Sequence, residues 1–177
     1  MALSCQGSFK SDSSSKAPAK ETASQQSVKV LPDESASVSS ENSSVSIPPG
    51  ASDTAVDLSV VEKGTDTLAL PKNTEALGIA VELNATTEAG AKLEKFLQPV
   101  VVRIHVPAGY DTDLIAILVL RPVCEYLIPP VEVTVTPISE TEVELSFNTT
   151  DANATFVPIL TTEGLVIGSP CDLSGTD

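Results

Sequence analysis

Short apolar runs with a period of two constrain the fold of this chain more than any other feature. In the clearest run, Val102, Ile104 and Val106 alternate with Arg103 and His105, so the two sets point to opposite faces of one strand. Similar runs recur along the chain and are separated by Pro, Gly, Asn and Asp, which are typical of turns. Together with residues 100–106, the candidate strands are 45–47, 56–60, 77–83, 114–120, 131–136, 143–147, 156–160 and 165–167.

Helical patterns are almost missing from the sequence. One segment, 88–97, has helical propensity, but Gly90 interrupts it and Pro99 ends it, so we interpret it as a connection. The run 114–120 is continuously apolar, as expected of a central strand covered on both faces. The segments 131–136 and 143–147 are close enough in sequence to form a hairpin. We therefore predict an all-β fold, an antiparallel two-sheet β-sandwich, with a closed barrel as the alternative.

Composition and charge favour an aliphatic core and disfavour polyanionic partners. Hydrophobic residues make up 41% of the chain, but only 3% of residues are aromatic and there is no Trp, so Val, Ile and Leu must build the core. The formal net charge of −14 gives the protein an electrostatic field that repels nucleic-acid backbones and anionic lipid headgroups. We therefore expect no nucleic-acid partner. We also expect no cofactor, because the chain lacks glycine-rich phosphate loops.

The first 44 residues differ in composition from the rest of the chain. They are rich in Ser, Ala, Lys, Glu and Gln and hold few large apolar residues, so they bury too little surface to offset the entropy cost of ordering. We predict a disordered tether over residues 1–44, the sandwich over 45–168 and a C-terminal tail over 169–177. No stretch approaches the roughly 20 apolar residues of a membrane-spanning helix, so any membrane attachment would be covalent.

Cys5 is a candidate site for such an attachment. The sequence Ala2-Leu3-Ser4-Cys5, followed by a Ser-rich segment, resembles the end of a bacterial lipoprotein signal, in which small residues precede the cysteine that receives the lipid. Leu stands two residues before Cys5 rather than three, and the upstream apolar segment of such a signal is missing. We therefore expect a cell-envelope protein that is lipid-anchored through Cys5 or secreted. The alternative is an ordinary thiol in a cytoplasmic chain.

The other two cysteines and the glycosylation sequons also bear on export. Cys124 and Cys171 form an even pair that could make a disulfide in an oxidising compartment. Alternatively, Cys124 is a small buried hydrophobe after an apolar strand. Asn-x-Ser/Thr sequons, which matter only in a eukaryotic secretory host, occur at Asn42, Asn84, Asn148 and Asn153.

Three short segments carry a resemblance to a known domain. Residues 45–51, Val-Ser-Ile-Pro-Pro-Gly-Ala, with the strand that follows, resemble the opening of the β-sandwich domain shared by ankyrins, netrin receptors and many bacterial envelope proteins. Residues 96–102 are similar to its Pro-Val entry to a middle strand, and residues 147–157 to its closing strand pair, with Asn-Ala-Thr at 153–155 in place of His-Phe-Ser. The resemblance spans about residues 45–160. It implies a protein-interaction or surface-display role and carries no catalytic residue onto this chain.

Few residues in the chain suit catalysis. The single histidine, His105, is expected on the solvent face of its strand together with Arg103, which favours a surface position over a Ser-His-Asp triad, and one histidine excludes a zinc site made of several. We predict that the protein is not an enzyme, with a carboxylate-only mechanism as the remaining alternative. Asp111 and Asp113 lie in a turn between two strands and would suit calcium, but the longer ligand pattern of known calcium loops is missing. The alternative is a polar turn in which Asp bonds to its own backbone.

These observations predict a non-enzymatic interaction or structural domain of the cell envelope, with a protein or a cell-wall glycan as partner. The alternative is a carbohydrate-binding module of the cell surface. Sugar sites usually stack their ligand on exposed aromatic rings, and a chain with no Trp and two Tyr is poorly supplied with them. The sequence does not assign the residues that bind the partner.

Overall fold

A computed structural model of the chain describes residues 25–68, 70–71, 74–121, 125–127 and 132–161, with 125–127 described as backbone only. These residues form strands and one turn of 3₁₀ helix, Thr112–Leu114, and no α-helix. The strands in chain order are β1 (Gln25–Val30), β2 (Ala36–Ser39), β3 (Ser43–Ile47), β4 (Val56–Lys63), β5 (Thr74–Ala76), β6 (Ala80–Thr87), β7 (Lys95–Pro107), β8 (Ile115–Arg121), β9 (Glu125–Leu127), β10 (Thr134–Pro137), β11 (Glu142–Asp151) and β12 (Asn153–Thr161).

The strands form two antiparallel sheets that pack against each other. Sheet A has the order β1-β4-β6-β12-β8-β9, and β5 adds to it by pairing with β12. Sheet B has the order β10-β11-β7-β3-β2. The predicted antiparallel two-sheet β-sandwich is therefore confirmed, and so is the predicted hairpin, formed by β10 and β11.

The main core lies between the two sheets and is aliphatic, as the composition predicts. On β7 the alternate residues Val102, Ile104 and Val106 point inward and are almost fully buried. Three phenylalanines, Phe96, Phe147 and Phe156, join them, and the ring centroids of Phe147 and Phe156 are 5.4 Å apart. Burial of a side chain of this size contributes roughly 1.5–3 kcal/mol to the free energy of unfolding, so this layer is the main source of stability.

A second, smaller apolar cluster covers the outer face of sheet A. Leu118 of β8 and Val157 and Ile159 of β12 are fully buried there, and the partly buried Leu68 and Leu70 of the β4–β5 connection pack against them. The neighbouring side chains of β8, Ile117 and Val119, point into the main core instead. The predicted strand covered on both faces is confirmed in β8, but it begins at Ile115 because Leu114 belongs to the 3₁₀ helix.

The predicted boundary between tether and sandwich, near residue 44, is wrong. β1 pairs with β4 over six residues, β2 pairs with β3, and both Val30 and Val38 are buried in the core. These strands lie at sheet edges, where backbone pairing to one neighbour and a few inward valines are enough to hold a mostly polar segment. Average composition does not reveal such a strand. Residues 1–24, the rest of the predicted tether, and 162–177, with the predicted strand 165–167 and tail 169–177, lie outside the described residues.

The third predicted strand, 77–83, begins later than expected. β6 starts at Ala80, and the preceding Leu77 is buried in a connection where its N–H donates to the carbonyl of Pro158 over 2.8 Å. The turn predicted after the strand 45–47 is confirmed. Gly50 has a φ of +77° there, and a Cβ at that position would lie 2.7 Å from Nε2 of Gln98. Both the backbone angle and the space therefore favour glycine at residue 50.

Several strands begin or finish at the same end of the sandwich, which we call the Pro107 end. β4 and β7 finish there, and β3, β6, β8 and β11 begin there, as their registers show. β1 also begins at this end, because Gln25 pairs with Val61 near the end of β4. β12 finishes there at Thr161, whose hydroxyl donates to the carbonyl of Leu114 over 3.1 Å. The first and last residues of the described domain therefore lie at the same end.

Candidate interaction surface

The outer face of sheet B is an open polar surface built by β3, β7 and β11. In the register of β7 and β11, Glu144 lies opposite His105 and Ser146 lies opposite Arg103. Because Val102 and Ile104 occupy the alternate positions that point into the core, these polar side chains point outward. The prediction that Arg103 and His105 share the solvent face of their strand is confirmed. We call this surface the polar face.

Charged groups on the polar face pair with one another. Nη1 of Arg103 donates a hydrogen bond to Oγ of Ser46 over 2.9 Å, and Nε of Arg103 lies 3.7 Å from Oε1 of Glu144. The other oxygen of Glu144 lies 3.7 Å from Nε2 of His105. All these groups are partly exposed to water, so pairs of this kind contribute about 0–1 kcal/mol each. At 3.7 Å the His105–Glu144 contact is too long for a hydrogen bond, so it lacks the geometry of a base held by its orienting carboxylate.

A groove of about 390 Å³ opens at the Pro107 end, beside the polar face. The turn between β2 and β3, the end of β7 and the start of β11 form its walls. Asn42, His105 and Glu142 are its principal polar residues, and Ile79 and Pro107 add apolar surface. The N–H of His105 donates to the carbonyl of Asn42 over 2.8 Å, which fixes one wall of the groove to β7.

A buried carboxylate fixes the groove wall formed by the β2–β3 turn through hydrogen bonds. Glu62 of β4 is 7% exposed and accepts hydrogen bonds from the backbone N–H of Asn42 at 2.9 Å, from its side-chain amide at 3.3 Å and from the hydroxyl of Ser43 at 2.7 Å. The contact joins sheet A to the β2–β3 turn of sheet B. Glu62 was not among the candidate residues predicted from the sequence. The signal was present, because the inward alternation of Val56, Leu58 and Val60 continues to position 62.

The predicted calcium pair lies in the β7–β8 connection and is exposed. Oδ1 of Asp111 accepts a hydrogen bond from the N–H of Asp113 over 3.1 Å and so caps the short 3₁₀ helix. In the described part of the chain, no three His, Cys, Asp or Glu side chains come together as a metal site would require. The geometry therefore favours the alternative, a polar turn in which Asp bonds to its own backbone. Cys5, Cys124 and Cys171 lie outside the described residues, so their predicted roles stay predictions.

A salt bridge with shifted pKa values lies at the other end of the sandwich. Nζ of Lys29 on β1 is 2.6 Å from Oε1 of Glu88, which follows β6. The hydrogen bond and the charge of Lys29 lower the pKa of the Glu88 carboxyl, and the same contact raises the pKa of the Lys29 ammonium group. Both groups are exposed to solvent, so the pair marks a contact between strands and adds little stability.

Comparison with known proteins finds no matching family model and no matching curated protein. Within the residues that the structure describes, no helix has both the length and the apolar character needed to cross a membrane.

Proposed function

We propose that this protein is a non-enzymatic interaction or structural domain of the cell envelope, held at the membrane by a lipid on Cys5. The observation that carries the proposal is the polar face, a broad and open surface next to a shallow groove. Its arginine, carboxylate and histidine are arranged to complement one another rather than to enclose a reacting group. Fixed, half-exposed polar groups of this kind suit recognition of another macromolecule, where complementary charges set orientation and specificity.

The position of β1 supports the anchoring part of the proposal. Residues 6–24 separate Cys5 from Gln25, the first residue that the structure describes. If that segment acts as a flexible linker, about 20 residues would span roughly 25 Å between lipid and domain. Since a single acyl chain binds membranes only marginally, the cysteine would need more than one chain, as bacterial lipoproteins have.

The anchor is tested in a bacterial host by fusing a positively charged segment and an apolar segment to Ala2, so that residues 2–4 of this chain supply the sequence before the lipidated Cys5. The protein should fractionate with membranes and incorporate labelled palmitate, and Cys5→Ser should be soluble and unlabelled. Cys124→Ser is the matched control, because its thiol is not preceded by the small residues of a lipoprotein signal. A wild-type protein that stays unlabelled would remove Cys5 from the proposal.

The interaction surface is tested separately by placing a photo-crosslinking residue at Ser146, on the polar face. Ser59, a partly exposed position of β4 in the other sheet, is the matched control. We expect one discrete adduct in intact cells from position 146 and none from position 59. Glu144→Lys should abolish that adduct, because it reverses the charge between Arg103 and His105. Adducts of equal yield from both positions would mean that the polar face is not the binding surface.

The carbohydrate-binding alternative has less support from the structure. Phe96, Phe147 and Phe156 are buried in the core, where they cannot stack on a sugar ring. Among the aromatic side chains that the structure describes, only Tyr110 is exposed, at 37%. A module that stacks saccharides normally offers a larger aromatic platform. Binding of purified wall polysaccharide that is lost in Tyr110→Ala would favour this alternative.

A further inference from the structure

The structure separates the four sequons by what their side-chain amides do. Nδ2 of Asn153, at the start of β12, donates to the carbonyls of Ala85 at 2.9 Å and of Leu93 at 2.5 Å. An amide nitrogen has two hydrogens, so both donors of Asn153 are engaged. The residue is half-buried where β12 meets β6 and the turn that follows it. A sugar on this nitrogen would break at least one of these bonds and displace a neighbouring strand.

Two further sequon asparagines are tied to carboxylates. Nδ2 of Asn42 donates to Oε2 of the buried Glu62 over 3.3 Å, and Nδ2 of Asn84 donates to Oε1 of Glu82 over 3.0 Å. Both asparagines are only partly exposed. Glycosylation at Asn42 would also push against the turn that Glu62 holds in place, so it opposes the folded arrangement of the groove wall.

Asn148 differs from the other three. It is exposed on the polar face near the middle of β11, and within the described part of the chain its side chain makes no hydrogen bond. Its cross-strand neighbour is Val101, which in turn lies opposite Ser46, so the side chains next to it are short. Nothing in this row has to move to make room for a sugar.

We propose that Asn148 accepts an N-linked oligosaccharide when the chain is exported through a pathway that glycosylates Asn-x-Ser/Thr, and that it is the one sequon occupied in folded protein. The donor is an oligosaccharide linked to a polyprenyl diphosphate. The bond from the sugar C1 to the diphosphate oxygen breaks, C1 bonds to Nδ2 of Asn148, and the amide loses one proton as the polyprenyl diphosphate leaves. Transfer to the chain before it folds reaches every sequon, but glycans at the other three oppose folding and remove those molecules from the secreted pool.

Such a glycan would leave the groove free. Asn148 lies six residues along β11 from Glu142, which lines the groove. At a rise of about 3.4 Å per residue, the two positions are roughly 20 Å apart. The sugar would cover the half of the polar face away from the Pro107 end. A protein partner of the glycosylated form would then have access to the groove and to the Arg103–Glu144 contact next to it.

The test is expression of the full chain behind a secretory signal peptide in a eukaryotic host, followed by site mapping on the secreted, cooperatively melting monomer. Peptide N-glycosidase in heavy-oxygen water converts each glycosylated Asn to labelled Asp. We expect label at Asn148 in most molecules. Asn148→Gln and Thr150→Ala should both abolish the mobility shift that the enzyme removes, whereas Asn42→Gln and Asn84→Gln should retain it.

Two outcomes would overturn the proposal. One is folded, secreted wild type that carries no label at Asn148. The other is label at Asn42, Asn84 or Asn153 in the folded fraction. Site mapping on the wild type decides the matter even if both sequon variants fail to be secreted. The result does not depend on Cys5, so a failure here leaves the proposed anchor and interaction surface untouched.

Discussion

Two N-terminal deletions of different length test whether β1 and β2 belong to the sandwich. Deleting residues 1–24 removes none of the strands that the structure describes. Deleting residues 1–44 removes β1, β2 and the first two residues of β3. If β1 and β2 belong to the sandwich, the two shortened chains should differ greatly in stability, although both lose polar, Ser-rich sequence.

The size of the difference follows from the buried side chains. The longer deletion removes Val30, which is fully buried, and Val38, which is 6% exposed. Each buried valine contributes roughly 1.5–3 kcal/mol, so about 3–6 kcal/mol is lost before the newly exposed core side of β4 is counted. Domains of this kind have total stabilities of about 5–15 kcal/mol. We therefore expect the longer deletion to be close to unfolded at room temperature.

Urea denaturation followed by far-ultraviolet circular dichroism is the assay. The shorter deletion should match the full chain within about 0.5 kcal/mol. In the full chain, Val30→Ala should cost about 1–3 kcal/mol, and Ser27→Ala, an exposed change on the same strand, should cost almost nothing. If the chain that starts at residue 45 unfolds at the same urea concentration as the chain that starts at residue 25, the assignment of β1 and β2 to the sandwich is refuted.

Three more perturbations test individual contacts. Glu62→Gln should lower the free energy of unfolding by about 1.5–3 kcal/mol, because a carboxylate that accepts one buried and two partly buried hydrogen bonds becomes a neutral amide. The exposed Glu140→Gln should change it little in the same denaturation assay. Lys29→Met should return the lowered pKa of Glu88 to its ordinary value in an NMR titration, and an unchanged Glu88 titration would contradict the contact. Because the folded pKa is lowered, any stability from this carboxylate is present above its unfolded pKa and is lost as pH falls through its folded pKa. Added Ca²⁺ or EDTA should leave the melting temperature unchanged, because only a ligand that binds the folded state raises stability by mass action and we expect no bound Ca²⁺. A clear rise with Ca²⁺ would show that the turn 111–113 binds the metal.

Sequence patterns predicted the strands that lie inside the sheets better than those at the edges. β7 and β8 were predicted because an interior strand needs apolar residues on one face or on both. This requirement produces the alternating pattern of β7 and the continuous apolar run of β8. β1 was missed because an edge strand is paired on one side only and can expose most of its side chains; five of its six residues are at least partly exposed. Backbone pairing, which any residue but proline can supply in full, and two inward valines hold such a strand.

The polar contacts were harder to predict than the strands. That Arg103 and His105 face solvent followed from strand periodicity, but their pairing with Glu144 depends on the register of two strands that lie far apart in the chain. The anchoring of Asn42 by Glu62 depends on how the sheets pack, which local sequence does not encode. A glutamate at an inward position of an apolar strand was the one available hint, because buried carboxylates require partners.

The shared location of both ends of the domain has a mechanical consequence. If Cys5 anchors the chain and a partner holds the polar face of sheet B, any tension between membrane and partner enters sheet A through Gln25 and runs along the axis of β1. The six residue pairs between β1 and β4 would then share the load in shear, rather than separating one at a time as in a peeled strand. β1, an edge strand with only two inward valines, would thus carry the load for the whole domain. The force at which β1 slides along β4 would determine how long the domain can hold a bound partner.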